Sequence, residues 1–408
     1  MKKTLVSALV FILVLVGVML PWSDILGAKK TDNTELLLCF ENMPPLPEMP
    51  RYTTLLAVGD NLIHSTVIRE GRLANGGYDF NCLYQYISPY ISAADIAYVN
   101  HESPMSNNIP ATGYPKFNTP QENGDALRAA GFDIVNLANN HAMDSGTDAL
   151  LDTIAYWQQF PEIALIGVAD SEAAAQIKVT EHDGFSIAWL SYTYGSNYWI
   201  PNDWLVSKYD ADAAKADIAA AKELADIVIV SMHWGTEYQT KEGARQREQA
   251  QYLADLGADL IIGHHPHVIQ PAEWLTGADG NQTYCIYSLG NFISSQHIDE
   301  TMLGGMLSVT FEADGDDVRI AEAGLIPIVT HYERGLYGYR TYLLKDYTEE
   351  LANRHGIIAY EPMLTLQFLE DLADEVWGAE RTEYDLDRVY GASYTDTLAA
   401  ALALSPAA

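Results

Sequence analysis

Short apolar runs alternate with amphipathic segments along most of the chain after residue 53. Each run predicts a buried strand, because strands of a parallel sheet are covered on both faces and lose the alternation of polar and apolar positions. The predicted strands are 54–58, 94–99, 132–138, 225–230, 258–262 and 284–287. Segments 122–130 and 246–256 have helical periodicity and are followed by glycine, as at many helix C-termini. This alternation predicts an α/β fold with a mostly parallel sheet.

Four of the predicted strands begin with one signature, in which Ala or Phe is followed by Asp and then by Ile or Leu. The strands also end alike, because residues able to bind metals or transfer protons follow their last apolar positions. Ligands collect outside the carboxyl ends of the strands in open α/β sheets, so these residues are expected to share one site. The candidates are Asp60, Glu102, Asn140, His141, His233, His265 and His267.

The loop after the fifth predicted strand carries the strongest metal signal. Gly263 ends the apolar run, and His264, His265 and His267 follow within four positions. Neutral imidazole is the commonest metal ligand, and Pro266 keeps His265 out of helical geometry, so His265 and His267 form a stiffened ligand pair. The alternative is a surface histidine cluster without a function.

The candidates suit a centre of two metal ions. Carboxylate, amide and imidazole groups together favour Zn, Mn or Fe over Ca or Mg, which prefer oxygen ligands alone. Two divalent ions can clamp the oxygens of a phosphoryl group during in-line attack. His141 directly follows a candidate ligand, so we expect its ring to protonate the leaving group without binding metal, with Asp144 orienting it. Trp234 and Tyr238 are expected either in the pocket wall or in ordinary packing.

Seven blocks of the chain carry most of these candidates. They are Gly59-Asp60, Asn100-His101-Glu102, Phe117-Asn118-Thr119-Pro120, residues 138–144, His233-Trp234-Gly235, residues 263–268 and residues 288–293. Together the blocks resemble, in the same order, those of bacterial capsule-synthesis proteins of the CapA type, which are linked to poly-γ-glutamate. That family is similar to the calcineurin-like metallophosphoesterases. The resemblance covers about residues 53–330 and implies a four-layer α/β sandwich of the metallophosphoesterase type with a di-metal centre.

The resemblance also implies a role for each candidate. Asp60 takes the place of the first metal-binding aspartate, Glu102 that of the bridging carboxylate, Asn140 and His233 those of ligands of the second ion, His141 that of the acid, and His265 and His267 those of the closing pair. The usual Asp-X-His motif of phosphoesterases is absent, because position 62 is Leu. His64 either substitutes for the missing histidine or packs. Possible additional site residues are His64, Asn100 and Asn291.

Charge and cysteine content narrow the function classes. The chain has 408 residues, with 23 Lys and Arg against 55 Asp and Glu, and its net charge is −32. This excess of acid argues against binding of nucleic acid or of an anionic membrane surface. An anionic substrate therefore needs a local cation. The three cysteines are far apart and odd in number, so no disulfide framework is predicted.

The sequence divides into four predicted parts. Residues 1–28 are a signal peptide or an N-terminal membrane anchor, with an anchor slightly favoured, because Lys2 and Lys3 precede an apolar run. Residues 29–51 are a linker, 52–331 the CapA-like metallophosphoesterase-type domain, and 332–408 a C-terminal helical extension and tail. Within these parts, 306–311 and 318–329 predict a hairpin, and helix is expected from 332 to about 377.

Two functions from different classes compete. The first is a metal-dependent hydrolase, at the outer face of the cytoplasmic membrane or secreted, that cleaves a phosphoester or related bond in an anionic polymer or phosphoester substrate. The second is a non-catalytic, membrane-tethered component of an exopolymer synthesis or export complex. Leu62 favours the second function, and the pair Asn140 and His141 favours the first. Attack on a γ-glutamyl amide is a third possibility, since an activated water also attacks carbonyls.

Overall fold

The computed structural model describes residues 49–315, 317–361 and 363–382. The strands are β1 (Arg51–Asn61), β2 (Ile96–His101), β3 (Ile134–Asn136), β4 (Ala164–Ile166), β5 (Lys178–His182), β6 (Phe185–Thr193), β7 (Ile227–His233), β8 (Leu260–His264), β9 (Ala272–Thr276), β10 (Gln282–Ile286), β11 (Asn291–Ile293), β12 (Leu303–Asp314), β13 (Asp317–Glu333) and β14 (Tyr337–Leu343). The α-helices are α1 (Ser65–Glu70), α2 (Asn81–Tyr84), α3 (Ser88–Ile91), α4 (Glu122–Ala130), α5 (Gly146–Trp157), α6 (Ala211–Lys222), α7 (Ala244–Leu256), α8 (Glu349–Arg354) and α9 (Leu366–Trp377).

The strands form two sheets. The first sheet has the order β14-β13-β12-β1-β2-β3-β4, and β11 also pairs with β1. Its strands from β1 to β4 are parallel, whereas β12 to β14 are antiparallel. The second sheet has the order β5-β6-β7-β8-β10-β9, with parallel central strands and antiparallel edges. All six strands predicted from apolar runs are present, as are the two predicted helices, which end at Gly131 and Gly257.

Successive residues along the strands of the second sheet pack on opposite faces of that sheet, and this shows how the layers are arranged. Ile187 and Ile229 belong to the large core shared with the first sheet, whereas Ala188 and Val228 join a second core with helices α6 and α7. Successive residues of the first sheet, such as Leu55 and Leu56, are both buried, so both of its faces are covered, and helices α2 and α4 add Leu83 and Leu127 to its core. The layers are therefore helix, sheet, sheet and helix. The four-layer α/β sandwich expected from the sequence is confirmed.

The aspartate of the repeated strand signature has a common structural role. In each case its carboxylate accepts a hydrogen bond from the backbone N–H near the start of the neighbouring parallel strand. The donor and acceptor pairs are Thr54 and Asp95, Ala97 and Asp133, Ser186 and Asp226, and Val228 and Asp259, at 2.8, 2.8, 2.9 and 2.8 Å. The signature thus satisfies strand N–H groups that the sheet ladder leaves open.

The C-terminal part differs from the sequence expectation. The predicted hairpin is confirmed, because β12 and β13 are antiparallel with Asp314 opposite Asp317. The expectation of helix directly after residue 332 is wrong at β14, which pairs with β13. Tyr339, Thr341 and Leu343 are buried while the residues between them are partly exposed, so this segment has the two-residue period of a strand. Helices α8 and α9 follow only afterwards.

Several predictions fall outside the described residues. These are the leader or anchor at 1–28, residues 29–48 of the linker and the tail after residue 382. Within the described parts of the chain, no helix combines the length and apolar character that a bilayer crossing needs. The domain boundaries at residues 52 and 331 stay predictions.

Candidate metal centre

The candidate ligands come from both sheets. Asp60 ends β1, and Glu102 and Asn140 lie just after β2 and β3 of the same sheet. His233 ends β7 of the second sheet, and His265 and His267 follow β8. All six side chains are buried. The carboxyl ends of the parallel strands therefore bring these side chains to one place, as the sequence predicted.

Two groups of side chains could each hold a metal ion, and they share Glu102. One group is Glu102, His265 and His267, and the other is Asp60, Glu102 and His233. Within each group, one potential ligand atom per residue lies within 4.8 Å of the others. Glu102 is therefore the residue that could contribute to both sites.

Glu102 tests whether these residues fit divalent ions. It is fully buried, and neither of its carboxylate oxygens has a hydrogen-bond partner. Buried carboxylates without partners are costly, so this one fits a cation that coordinates it. Nδ1 atoms of His233 and His265 are also buried without hydrogen bonds. The donor set, with imidazole, carboxylate and amide groups, fits Zn, Mn or Fe.

Asn140 extends the second group. Its Oδ1 lies 2.7 Å from Nε2 of His233. Amide oxygen and neutral imidazole nitrogen can both donate lone pairs, so these two atoms can serve one ion. The ligand role that the resemblance implies for Asn140 and His233 stays a prediction.

The electrostatics of the site favour cation binding. Burial alone would raise the pKa of Asp60, but hydrogen bonds and charge from His264 and His267 outweigh it and hold the pKa well below its usual value. Burial, together with the nearby Asp60 charge, raises the pKa of Glu102 well above its usual value. Burial and the neighbouring His265 lower the pKa of His233, so its ring stays neutral and available as a ligand.

The histidine loop has a strained backbone. His265 and His267 have φ angles of 97° and 60°, in the region that residues with a Cβ atom rarely occupy. The sequence predicted a non-helical, stiffened pair but not this conformation. Such strain, of about 1–3 kcal/mol per residue, persists where surrounding contacts impose it and concentrates at functional sites.

Asp60 is held by a close approach of two chain segments. Its backbone N–H donates to the carbonyl oxygen of Gly290 at 2.9 Å. A Cβ atom on Gly59 would lie 1.9 Å from that same oxygen, so residue 59 must be glycine for the two segments to meet. The 288–293 block therefore contributes to the site by supporting Asp60.

His141 and Asp144 form a pair at the edge of the site. Nδ1 of His141 lies 2.7 Å from Oδ2 of Asp144, and the same oxygen accepts a bond from the backbone N–H of Phe117 at 3.0 Å. The Phe117 ring packs edge-on against His141 with centroids 4.8 Å apart. Since Nδ1 is engaged by Asp144, Nε2 is the nitrogen available to exchange a proton with a substrate.

The possible additional residues have three different environments. Asn100 donates to Oδ1 of Asp60 at 2.8 Å and accepts from Asn136 at 2.9 Å, so both ends of its amide are used in orienting Asp60. His64 belongs to neither metal-ligating group. Its Nδ1 lies 3.2 Å from both the Leu62 oxygen and the Ser295 nitrogen, and its ring lies in the cavity wall described below.

Asn291 has a side-chain oxygen that makes no hydrogen bond. Its Nδ2 donates to Gln296 and to the Thr301 carbonyl at 2.7 and 3.1 Å, which fixes the amide orientation. Its Oδ1 is buried without a partner, and its Cα is in register with that of Asp60. This oxygen is therefore an unused buried acceptor on a residue whose strand position pairs with Asp60.

Sequence reasoning did not assign a site role to His264 and Tyr98. Nδ1 of His264 lies 3.3 Å from Oδ1 of Asp60, and its Nε2 lies 3.0 Å from the hydroxyl of Tyr98. The adjacency of His264 to the predicted pair is a signal for the first residue, but no local pattern marks Tyr98. Trp234 is a packing residue, because it is buried and donates to the Tyr287 carbonyl, whereas Tyr238 lines the cavity.

A cavity of about 690 Å³ opens over the site. Asn140, His141 and His267 form part of its wall, and four partly exposed tyrosines line it as well. The tyrosines are Tyr114, Tyr194, Tyr198 and Tyr238. Among the described residues that line the cavity, none is Lys or Arg, and Glu237 is a carboxylate. The cavity gives a substrate direct access to His141.

Comparison with known families places these features in context. The family model described as bacterial capsule synthesis protein PGA_cap matches residues 54–296. The PGA biosynthesis protein CapA of Bacillus subtilis (strain 168) is 35% identical over 225 residues, which cover 52% of this chain and 57% of that protein. The capsule biosynthesis protein CapA of Bacillus anthracis is 30% identical over 233 residues, covering 54% and 55%. The chain thus spans about half the length of the curated relatives it matches.

Solved structures also resemble the chain. A calcineurin-like phosphoesterase of Bacillus subtilis has a TM-score of 0.39 and 14% identity, covering 79% of this chain and 100% of that chain. A 5′-nucleotidase of Candida albicans has a TM-score of 0.39 and 12% identity, covering 79% and 57%.

Proposed function

We propose a function from the premise that this chain belongs to the family of bacterial capsule synthesis proteins, whose model matches residues 54–296. The proposed activity is metal-dependent hydrolysis of a phosphoester or a related bond during biosynthesis of a poly-γ-glutamate capsule. The names of two relatives, a PGA biosynthesis protein and a capsule biosynthesis protein, support the biological setting. The proposed location is the outer face of the cytoplasmic membrane or the cell exterior, with a membrane synthesis or export complex as partner.

The carboxylate of Glu102 is the observation that carries this proposal. It is fully buried, lacks hydrogen bonds and belongs to both groups of potential ligands. Burial of such a carboxylate charge with nothing to compensate it would lower the stability of the fold by several kcal/mol. Two divalent ions would compensate its charge and, when bound, would polarise a phosphoryl group and activate water for attack.

The residues of the chain divide the remaining work. Asp60, Glu102, Asn140, His233, His265 and His267 would hold the two ions. His141 would deliver a proton from Nε2 to the leaving oxygen, and Asp144 would keep the ring in that tautomer through Nδ1. Phe117 would hold both in place through its backbone N–H and its ring. General acid catalysis of this kind contributes about 10²–10⁴ in rate.

Metal content tests the proposal directly. We expect the full chain to contain close to two ions of Mn, Zn or Fe by inductively coupled plasma mass spectrometry. The His265→Ala/His267→Ala variant should lose them, whereas the matched control His182→Ala, on β5 and outside both groups, should keep them. Loaded protein is then screened against phosphoesters and γ-glutamyl amides.

The opposite result would change the assignment. If wild-type protein took up no metal even after incubation with Mn or Zn, the hydrolase proposal would fail. The chain would then be assigned as a non-catalytic component of an exopolymer assembly. Leu62 favours that second function, because it occupies the cavity wall at the position where the resemblance leads one to expect a histidine ligand.

A further inference from the structure

We propose that the cavity selects substrates whose leaving group carries a neutral ring, such as a sugar or a nucleoside, and that Tyr114 and Tyr198 bind this ring. The inference rests on the proposed hydrolysis and adds a substrate class to it. It assigns the ring to the leaving side of the scissile bond and excludes a bare γ-glutamate chain from that side.

The position of His141 identifies the leaving side. During hydrolysis, water attacks phosphorus, the bond from phosphorus to the leaving oxygen breaks, and the proton of His141 passes to that oxygen to give an alcohol. The attacking water loses one proton, which returns to His141, so the products are an alcohol and inorganic phosphate. The leaving alcohol must therefore lie next to His141.

Aromatic side chains line the cavity on that side. The Phe117 ring contacts His141, and the Tyr114 ring lies 6.4 Å from Phe117 between centroids. Asn197, which lies 3.2 Å from Nδ1 of His141 through its Nδ2, immediately precedes Tyr198 in the chain. Tyr114 and Tyr198 are 73% and 43% exposed, so both rings are open to a ligand. Exposed clusters of large apolar side chains mark binding sites more often than chance surface.

The other two tyrosines of the cavity lie beside candidate metal ligands. Tyr194 lies 4.8 Å from the His265 ring, and Tyr238 lies 6.3 Å from the His267 ring. These two tyrosines therefore flank the place of the reacting group, whereas Tyr114 and Tyr198 flank the place of the leaving alcohol. The division assigns different tasks to the two pairs.

Charge within the cavity decides between a neutral ring and an anionic chain. Among its described lining residues no Lys or Arg is present, and Glu237 adds a negative charge. Lys116 is not among the lining residues, although its Nζ lies 5.7 Å from the centre of the Tyr198 ring. Poly-γ-glutamate carries one carboxylate per residue and would be repelled by Glu237. A neutral ring gains stacking energy without that cost.

Ring-bearing and acyclic phosphate esters test this inference. The full, metal-loaded chain is assayed with glucose 1-phosphate, adenosine 5′-monophosphate and glycerol 3-phosphate. For each substrate, kcat/KM of a variant is divided by kcat/KM of the wild type. The intrinsic reactivity of that substrate cancels in this ratio, so the three esters can be compared. The variants are Tyr114→Ala and Tyr198→Ala, and the control is Tyr337→Ala, an exposed tyrosine on β14 outside the cavity.

We expect each cavity variant to lower kcat/KM on the order of tenfold for a ring-bearing ester, mainly through KM, since stacking on one aromatic side chain is worth about 1–3 kcal/mol. For glycerol 3-phosphate, kcat/KM should change by less than about twofold, which is within the error of such comparisons. Tyr337→Ala should leave kcat/KM unchanged for all three substrates. If the cavity variants lose kcat/KM only for glucose 1-phosphate, the bound ring is a sugar. If they lose it only for adenosine 5′-monophosphate, the bound ring is a nucleobase. Equal losses for all three esters, or no loss for any, overturn the inference.

A binding measurement separates this inference from the proposed hydrolysis. If no phosphate ester is turned over, the proposed activity fails, and binding of adenosine and methyl glucoside is then measured by calorimetry. Binding of one of them that is weakened by Tyr114→Ala but not by Tyr337→Ala supports a ring-binding cavity. Binding that neither substitution changes, or an absence of binding, overturns it.

Discussion

His141 is the residue whose role separates catalysis from metal binding. We expect His141→Gln to retain both ions but to lower kcat by about 10²–10⁴, because the substitution removes a proton donor and no ligand. Metal content and steady-state kinetics are measured on the same preparation. His182→Gln is the matched control, and its kcat should equal that of wild type.

A loss of metal in the His141→Gln protein would contradict this assignment and make His141 a ligand. Asp144→Asn adds a second check, because the structure predicts an intermediate loss of kcat with KM unchanged. The amide still occupies the position beside Nδ1 but no longer stabilises the charged imidazole.

At the scale of single residues, the sequence predicted which side chains meet and not how they are oriented. Asp60, Glu102, Asn140 and His233 could be identified because each follows an apolar run, and parallel strands end at one edge. The positive φ angles of His265 and His267 could not be predicted, since non-glycine residues seldom adopt them. Tyr98 was also missed, because its hydroxyl reaches His264 from the middle of a buried strand, where apolar packing is the ordinary interpretation.

At the scale of elements, the aspartates at the strand starts make the stability of the fold depend on pH. Burial raises the pKa of Asp259 to about 6, although its bond from the Val228 N–H opposes that change. The carboxyl group therefore binds its proton more tightly in the folded protein than in the unfolded chain. Its contribution to stability is largest below about pH 4, falls as the pH rises towards 6 and is constant above about pH 7.

We therefore expect the stability of Asp259→Asn relative to wild type to increase with pH. Between pH 4 and pH 7 the gain should be at most about 3 kcal/mol, because the amide oxygen keeps the bond from Val228 but carries no charge. Urea unfolding at several pH values measures this difference. Asp279→Asn, at an exposed turn position, should show no such trend, and a parallel trend in both variants would contradict the explanation.

Strand β14 shows where element prediction reached its limit. The segment around Tyr337 is rich in tyrosine and glycine, so its apolar period is weak by composition. In the fold, Tyr339 and Thr341 are buried on one side, and pairing with β13 decides the strand. Tertiary contacts overrode a local pattern that was too weak to exclude helix.

At the scale of the whole molecule, metal binding and folding should be linked through Glu102. Ions that bind only the folded protein raise its stability, so chelation should lower the Tm of wild type. Glu102→Gln should remove this dependence of Tm on metal. Without metal it should be more stable than wild type by about 1–3 kcal/mol, since no buried carboxylate is left unpaired, and added Mn should no longer raise its Tm.

Thermal unfolding with and without a chelator checks this linkage. Glu248→Gln, an exposed position on α7, should behave as wild type in both conditions. A metal-free Glu102→Gln protein that is less stable than metal-free wild type would show that Glu102 has a stabilising partner other than an ion.

The contact between Asp60 and Gly290 has a consequence for how the protein is made. Strand β1 precedes its neighbours in the chain and β2 follows soon, whereas β11 and β12 begin only at residues 291 and 303. Long-range pairings of this kind are slow to form. We therefore expect Asp60 to lack the support of Gly290 until at least the first 290 residues have been synthesised, so that a metal centre at this site would form only after that point.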